Sequence, residues 1–153
     1  MVMWIISERP MEVQAAGNDI ATRNTPLKFN SFAALLLKFK SGIIAKITGN
    51  GGCIHPHFHG LKVFGTKTTA IQNLSGAYWL KSSKNDINQK PINEHYPAKE
   101  FRKEVITSYI DHILNESKDA LVSQKDVFNV MSVCFAAEKA MNTGKTVKIK
   151  YLE

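Results

Sequence analysis

The chain has 153 residues, 44% of them hydrophobic and 22% charged, which is the profile of one globular domain with a packed core and excludes a disordered segment. Its formal net charge of +7 would suit an anionic partner, but the lysines are locally rich only at residues 81–90 and 145–150 and do not interleave with aromatic residues, so nucleic acid is not the expected partner. Cys53 and Cys134 follow no metal or redox spacing and predict reduced, mostly buried thiols in a cytoplasmic protein, while the apolar run from Met1 to Ile6 is too short for a signal peptide or a membrane span.

Residues 12–21 predict a first strand, interrupted at Gly17-Asn18. A hairpin follows. Leu35, Leu37 and Phe39 alternate with Ala34, Leu36 and Lys38, and Ile43, Ala45 and Ile47 alternate with Ile44, Lys46 and Thr48. Ser41-Gly42 joins the two, since glycine takes the positive φ of a tight antiparallel turn without steric cost. Further strands are expected at residues 61–64, 69–74 and 77–80. The polar stretch 82–97, with two prolines, reads as linker-like.

Beyond Pro97 the period becomes helical. Phe101, Val105, Ile106, Tyr109, Ile110, Ile113 and Leu114 fall on one stripe of a helix over residues 98–116. A second helix is expected over 124–142, opened by Ser123 and Asp126 as a capping box with Asp in place of Glu, and closed near Gly144. Residues 146–151 alternate as a last strand at an edge. Together these predict a single α+β domain over residues 1–153: an open, mainly antiparallel sheet of about six or seven strands with helices packed on one face. The opposite face is then wetted, lined with substrate, or buried against another subunit or domain.

Three histidines at alternate positions, His55, His57 and His59, would share one face if they lay on a strand, and imidazoles so placed can converge on a transition metal. A cupin-type site would add a glutamate shortly afterwards, where Gly60-Leu61-Lys62-Val63 stands, and Pro56 disturbs any ladder through His55. The cluster therefore reads as polar ligand-contacting groups, as surface or structurally paired histidines, or as the core of a stand-alone small-ligand or metal-binding module. Asn50-Gly51-Gly52 has neither dinucleotide-loop spacing nor a following helix, so it reads as a turn rather than a phosphate cradle. No GxSxG elbow is present, and Cys53 with His55 is too widely spaced for a nucleophilic dyad. His95 and His112 read as structural or solvated.

The order of short motifs adds to this reading: Val2-Met3-Trp4-Ile5, Arg9-Pro10-Met11-Glu12-Val13-Gln14-Ala15, the hairpin from Leu37 to Ala45, Val63-Phe64-Gly65-Thr66, and the closing Ala136-Ala137-Glu138-Lys139-Ala140 with Thr143-Gly144-Lys145. This order resembles the C-terminal domain of the glucose-fructose oxidoreductase, inositol dehydrogenase and rhizopine catabolism (Gfo/Idh/MocA) family over almost the whole chain. The resemblance implies the substrate-side and oligomerisation half of an NAD(P)-dependent sugar, cyclitol or nucleotide-sugar oxidoreductase, without its Rossmann domain. It also implies NAD or NADP in the full-length enzyme and none for this chain alone, no catalytic residue within the chain, and self-association through the open sheet face. The family's glycine-rich loop, its Glu-Lys-Pro lysine and its histidine ahead of the tryptophan helix are not in the sequence. On that resemblance Met1 falls inside the helix after the catalytic histidine, and Asn18, Asn50, His55, His57 and His59 are the candidates for substrate contact.

Overall fold

The computed structural model describes residues 1–27, 29–83, 86–93, 101–115 and 119–152, with the backbone alone at 82, 83, 86 and 87. The elements run α1 (Val2–Ile6), β1 (Pro10–Asn18), β2 (Phe32–Phe39), β3 (Ile44–Asn50), β4 (Leu61–Phe64), β5 (Thr69–Asn73), β6 (Gly76–Ser83), β7 (Asp86–Ile92), α2 (Arg102–Leu114), α3 (Gln124–Thr143) and β8 (Val147–Lys148). The class is α+β, as expected. The residues fall into two compact units, Met1–Cys53 with Val105–Glu153, and Ile54–Glu104.

In the first unit the strands lie in the order β3-β2-β1-β8, all antiparallel. The β2–β3 hairpin turns at Gly42, whose φ of 85° lies in the left-handed region, and Phe39 closes it with bonds to Gly42 and Ile43. Alternation along the strands sends Val13, Leu37 and Phe39 to one face, where they pack with Val133, Ala136, Ala137 and Ala140 of α3 and with Ile149. Three alanines on the packed side of α3 let the helix approach the sheet closely. Its start is the expected capping box and its end is Gly144, with φ 66° and its N–H donated to the carbonyl of Ala140. β8 stands at the sheet edge beside β1, shorter than the sequence suggests.

The helix layer is supplied by α3. α2 buries none of its residues, and its apolar stripe stays open, with Ile106 at 64% and Leu114 at 74% exposure. Of the helix expected over 98–116, residues 98–100 and 116 lie outside those described, as do His95 and Pro97.

The second unit is a separate antiparallel sheet in the order β4-β5-β6-β7. Among the described residues, eight strands in two sheets of four thus replace the expected single sheet of six or seven. Gly51-Gly52 and Pro56 interrupt the chain after β3, and β4 pairs with β5 instead of extending the first sheet. β7 lies in the stretch that reads as a linker. It is polar and ends in Pro91-Ile92, a composition tolerated at a sheet edge. Register places Leu61, Val63, Ala70, Trp79 and Ile92 on one face and Phe64, Ile71, Tyr78 and Leu80 on the other. No described residue of this unit is fully buried.

Candidate functional site

Asn18 ends β1 and Asn50 ends β3, and both pair across β2 with Phe32, so the two amides share one end of the first sheet. Each folds the chain that follows it. The Oδ1 of Asn18 accepts from the Ile20 N–H at 3.2 Å, and the Oδ1 of Asn50 accepts from the Gly52 N–H at 3.0 Å. Ser31 ties the two turns together: its N–H donates to the Asn18 carbonyl at 2.8 Å, its carbonyl accepts from Gly51 at 2.8 Å, and its hydroxyl accepts from Ala21 at 3.1 Å. The corner is tight. A Cβ on Gly17 would lie 2.8 Å from the Met141 sulfur and 2.9 Å from the Phe32 carbonyl, and one on Gly52 would run into the side chain of Ala21. Beside it the Arg23 guanidinium holds the Asp19 carboxyl below the usual aspartate range through a 2.8 Å ion pair.

The three histidines belong to the second unit and do not lie on a strand. Proline lacks the amide that a ladder needs, and residues 55–60 are irregular. The expected common strand face is therefore absent. His55 turns back on its own backbone, with Nδ1 2.7 Å from the Pro56 carbonyl. His57 and His59 do come together, ring centroids 5.0 Å apart and inclined at 75°. The His59 carbonyl accepts from the Gln72 amide of β5 at 3.0 Å. Among the described residues no three His, Cys, Asp or Glu side chains are arranged to hold a metal ion. His112 lies in the last turn of α2.

Both thiols are exposed and free, where burial was expected. Cys53 follows the β3 turn, its sulfur 3.6 Å from the Asn50 carbonyl, and Cys134 lies on the side of α3 turned away from the core formed by Val133 and Ala137.

A second polar constellation in the first unit has no local signature in the sequence. The Arg9 guanidinium lies over the Tyr151 ring at 4.6 Å from its centroid and donates to Asn129 Oδ1 at 3.3 Å. Tyr151 donates its hydroxyl to the Pro10 carbonyl at 2.6 Å, and burial pushes its pKa up to about 12, against the partial counter-effect of Arg9. Asn129 is itself buried within α3. Residues separated by 120 and 141 positions are thus joined by the packing of β1, α3 and the chain end.

No family model and no curated protein matches the sequence. Solved structures do match the fold. An NAD binding oxidoreductase from Klebsiella pneumoniae superposes with a TM-score of 0.78 at 13% identity, over 99% of this chain and 48% of that one. An aldose-aldose oxidoreductase from Caulobacter crescentus, complexed with glycerol, gives 0.72 at 18% identity over 97% and 44%. A levoglucosan dehydrogenase in complex with NADH gives 0.75 at 11% over 94% and 46%. The chain therefore has a fold found within these oxidoreductases, and spans less than half the length of each. At these identities the likeness is one of fold. Among the described residues no helix is long and apolar enough to cross a membrane.

Proposed function

We propose that the chain belongs to the Gfo/Idh/MocA family and is the substrate-side and oligomerisation domain, one domain over residues 1–153, of an NAD(P)-dependent sugar, cyclitol or nucleotide-sugar oxidoreductase. The observation that carries this reading is a likeness of fold over nearly the whole chain to oxidoreductases of which it spans 43–48%. Neighbours described as NAD binding, or bound to NADH, support NAD or NADP as the cofactor of the complete enzyme.

The division of labour has a physical basis. A cofactor pyrophosphate is held by free amides at a helix N-terminus after a glycine-rich turn, whereas a polyol is held by groups that both donate and accept. Asn18, Asn50, His55, His57 and His59 are of the second kind, and in this reading they contact the substrate. The open stripe of α2 and the exposed Val127, Val130 and Phe135 of α3 support a cover of further polypeptide, since such apolar surface is seldom left to water. Self-association runs through the open sheet face, and the free thiols suit the reducing cytoplasm.

The purified chain is titrated with NADH while cofactor fluorescence is followed, and its mass is read by light scattering. No saturable binding and a mass above that of the monomer are expected. Tight, stoichiometric NADH binding by the chain alone would overturn the assignment.

A further inference from the structure

We propose that Asn50 is a site of spontaneous covalent modification, its carboxamide lost through a succinimide formed with the main-chain nitrogen of Gly51. Asn50 is the one asparagine of the chain that precedes a glycine. It is exposed, at the last position of β3, and β3 stands at the edge of its sheet, so this corner can open without disturbing the core.

Three features of the corner bear on the chemistry. The attacking nitrogen belongs to a residue with no Cβ to obstruct its approach. The Asn50 Oδ1 already accepts from the Gly52 N–H at 3.0 Å, and that donor meets the negative charge that gathers on Oδ1 when Cγ is attacked. The third feature is a restraint: Gly51 donates its N–H to the Ser31 carbonyl at 2.8 Å, so the nitrogen is released only when the end of β3 parts from Ser31. The fold itself does not require glycine at 51. Its φ lies outside the left-handed region, and an added Cβ would make an ordinary contact 3.8 Å from the Ser31 carbonyl. At Gly52, by contrast, a Cβ would run into Ala21.

In the first step hydroxide takes the Gly51 amide proton and the nitrogen bonds to Asn50 Cγ. The bond from Cγ to the carboxamide nitrogen breaks, and that nitrogen takes a proton from water and leaves as ammonia. Water then opens the ring at either carbonyl. Breaking the new bond from nitrogen to Cγ gives aspartate, and breaking the original peptide bond gives isoaspartate. One water enters and one ammonia leaves, with no change of oxidation state. The product carries a carboxylate at the end of the sheet that also holds Asn18, and isoaspartate adds a methylene to the main chain where Asn50 pairs with Phe32.

The chemistry does not depend on the oxidoreductase reading, and its test uses neither nucleotide nor substrate. The purified chain is held in mildly alkaline buffer, and samples are digested with trypsin beside a zero-time control. Mass spectrometry follows the peptide 47–62, in which Asn50 is the only asparagine. This peptide should acquire the acid mass sooner than any other asparagine-bearing peptide and should separate into aspartate and isoaspartate forms. Gly51→Ala should slow the conversion about tenfold or more, because a methyl group then crowds the attacking nitrogen. Gly49→Ala, which meets open space and keeps the Asn50–Gly51 pair, should leave the rate unchanged. Should Gly51→Ala fail to fold, the parent still decides the matter, since its rate should climb in proportion to hydroxide. Absence of conversion, earlier conversion of another asparagine, an unaltered rate in folded Gly51→Ala, or a rate independent of pH overturns the proposal.

Discussion

Replacing Ser123 with alanine tests how α3 is anchored. The Ser123 hydroxyl accepts from the Asp126 N–H at 3.1 Å and donates to the Asp126 carboxylate at 2.6 Å, while the Ser123 N–H donates to that carboxylate at 2.9 Å. Alanine removes the first two bonds and keeps the third. Loss of such a cap costs about 1 kcal/mol. With a urea dependence of about 2 kcal/mol per molar, the unfolding midpoint should fall by about 0.5 M. Because α3 carries the helical side of the core, the loss should appear in the global transition monitored by far-ultraviolet circular dichroism. Ser123→Thr, which restores a capping hydroxyl, should recover most of it.

The same cap has a pH signature. Its bonds from the Ser123 hydroxyl and N–H hold the Asp126 carboxyl below its ordinary value of 3.8. A depressed folded pKa contributes stability above the unfolded value and loses it as the pH falls through the folded one. Ser123→Ala should therefore lose less stability on acidification below 3.8 than the parent does. A midpoint shift under about 0.1 M, or an identical acid profile, would refute the argument.

Phe39→Ala, at a side chain with no exposure, should cost about 3–5 kcal/mol and leave the chain largely unfolded by circular dichroism at room temperature. Gly144→Ala places a Cβ at φ 66° and should lower the thermal midpoint by about 2–4 °C, corresponding to about 1 kcal/mol in a chain of this size. Alkaline titration followed at the tyrosinate absorbance should show Tyr151 ionising only near pH 12. Since its folded pKa is raised, its contribution to stability is complete below pH 10 and disappears between 10 and 12, and Tyr151→Phe should flatten that part of the curve. Breaking the exposed Lys38–Glu12 pair, 3.2 Å apart, by Lys38→Ala should move stability by no more than about 1 kcal/mol in urea unfolding.

Local chemistry made the first unit readable from sequence. The alternation from Leu35 to Phe39 and the glycine at 42 specify a hairpin because burial on one face and a positive φ leave few alternatives. Ser123, Asp126 and Gly144 mark the ends of α3 for the same reason: backbone groups there need particular side chains. β7 was not readable. An edge strand of Asn, Gln, Lys and Pro gains its structure from the ladder with β6, not from an apolar pattern. The division into two sheets was equally hidden, since register between strands distant in sequence leaves no periodic trace.

The candidate site was legible in part. Asn18 and Asn50 were candidates through the family resemblance alone, and the registers through Phe32 bring the strand ends that carry them together. The histidine triplet had the right spacing for a shared face but the wrong backbone, because Pro56 withdraws the segment from any ladder. Arg9, Asn129 and Tyr151 escaped notice because what joins them is the tertiary fold, and each alone is an ordinary surface, helix or terminal residue.

The first unit is discontinuous: the chain leaves it after Cys53 and re-enters at Val105. For the pairing of β1 with β8 and the packing of α3 on β1, everything between those points acts as a closing loop. Its entropic cost grows only with the logarithm of its length, by about 0.6 kcal/mol for each doubling. Insertions or deletions in the irregular connection over residues 54–60 therefore weigh lightly on the stability of the first unit, whereas a single methylene at Phe39 or Val13 weighs heavily. The polypeptide thus combines a core whose volume is fixed with connections that can vary in length, and the histidines lie on one such connection, between β3 and β4.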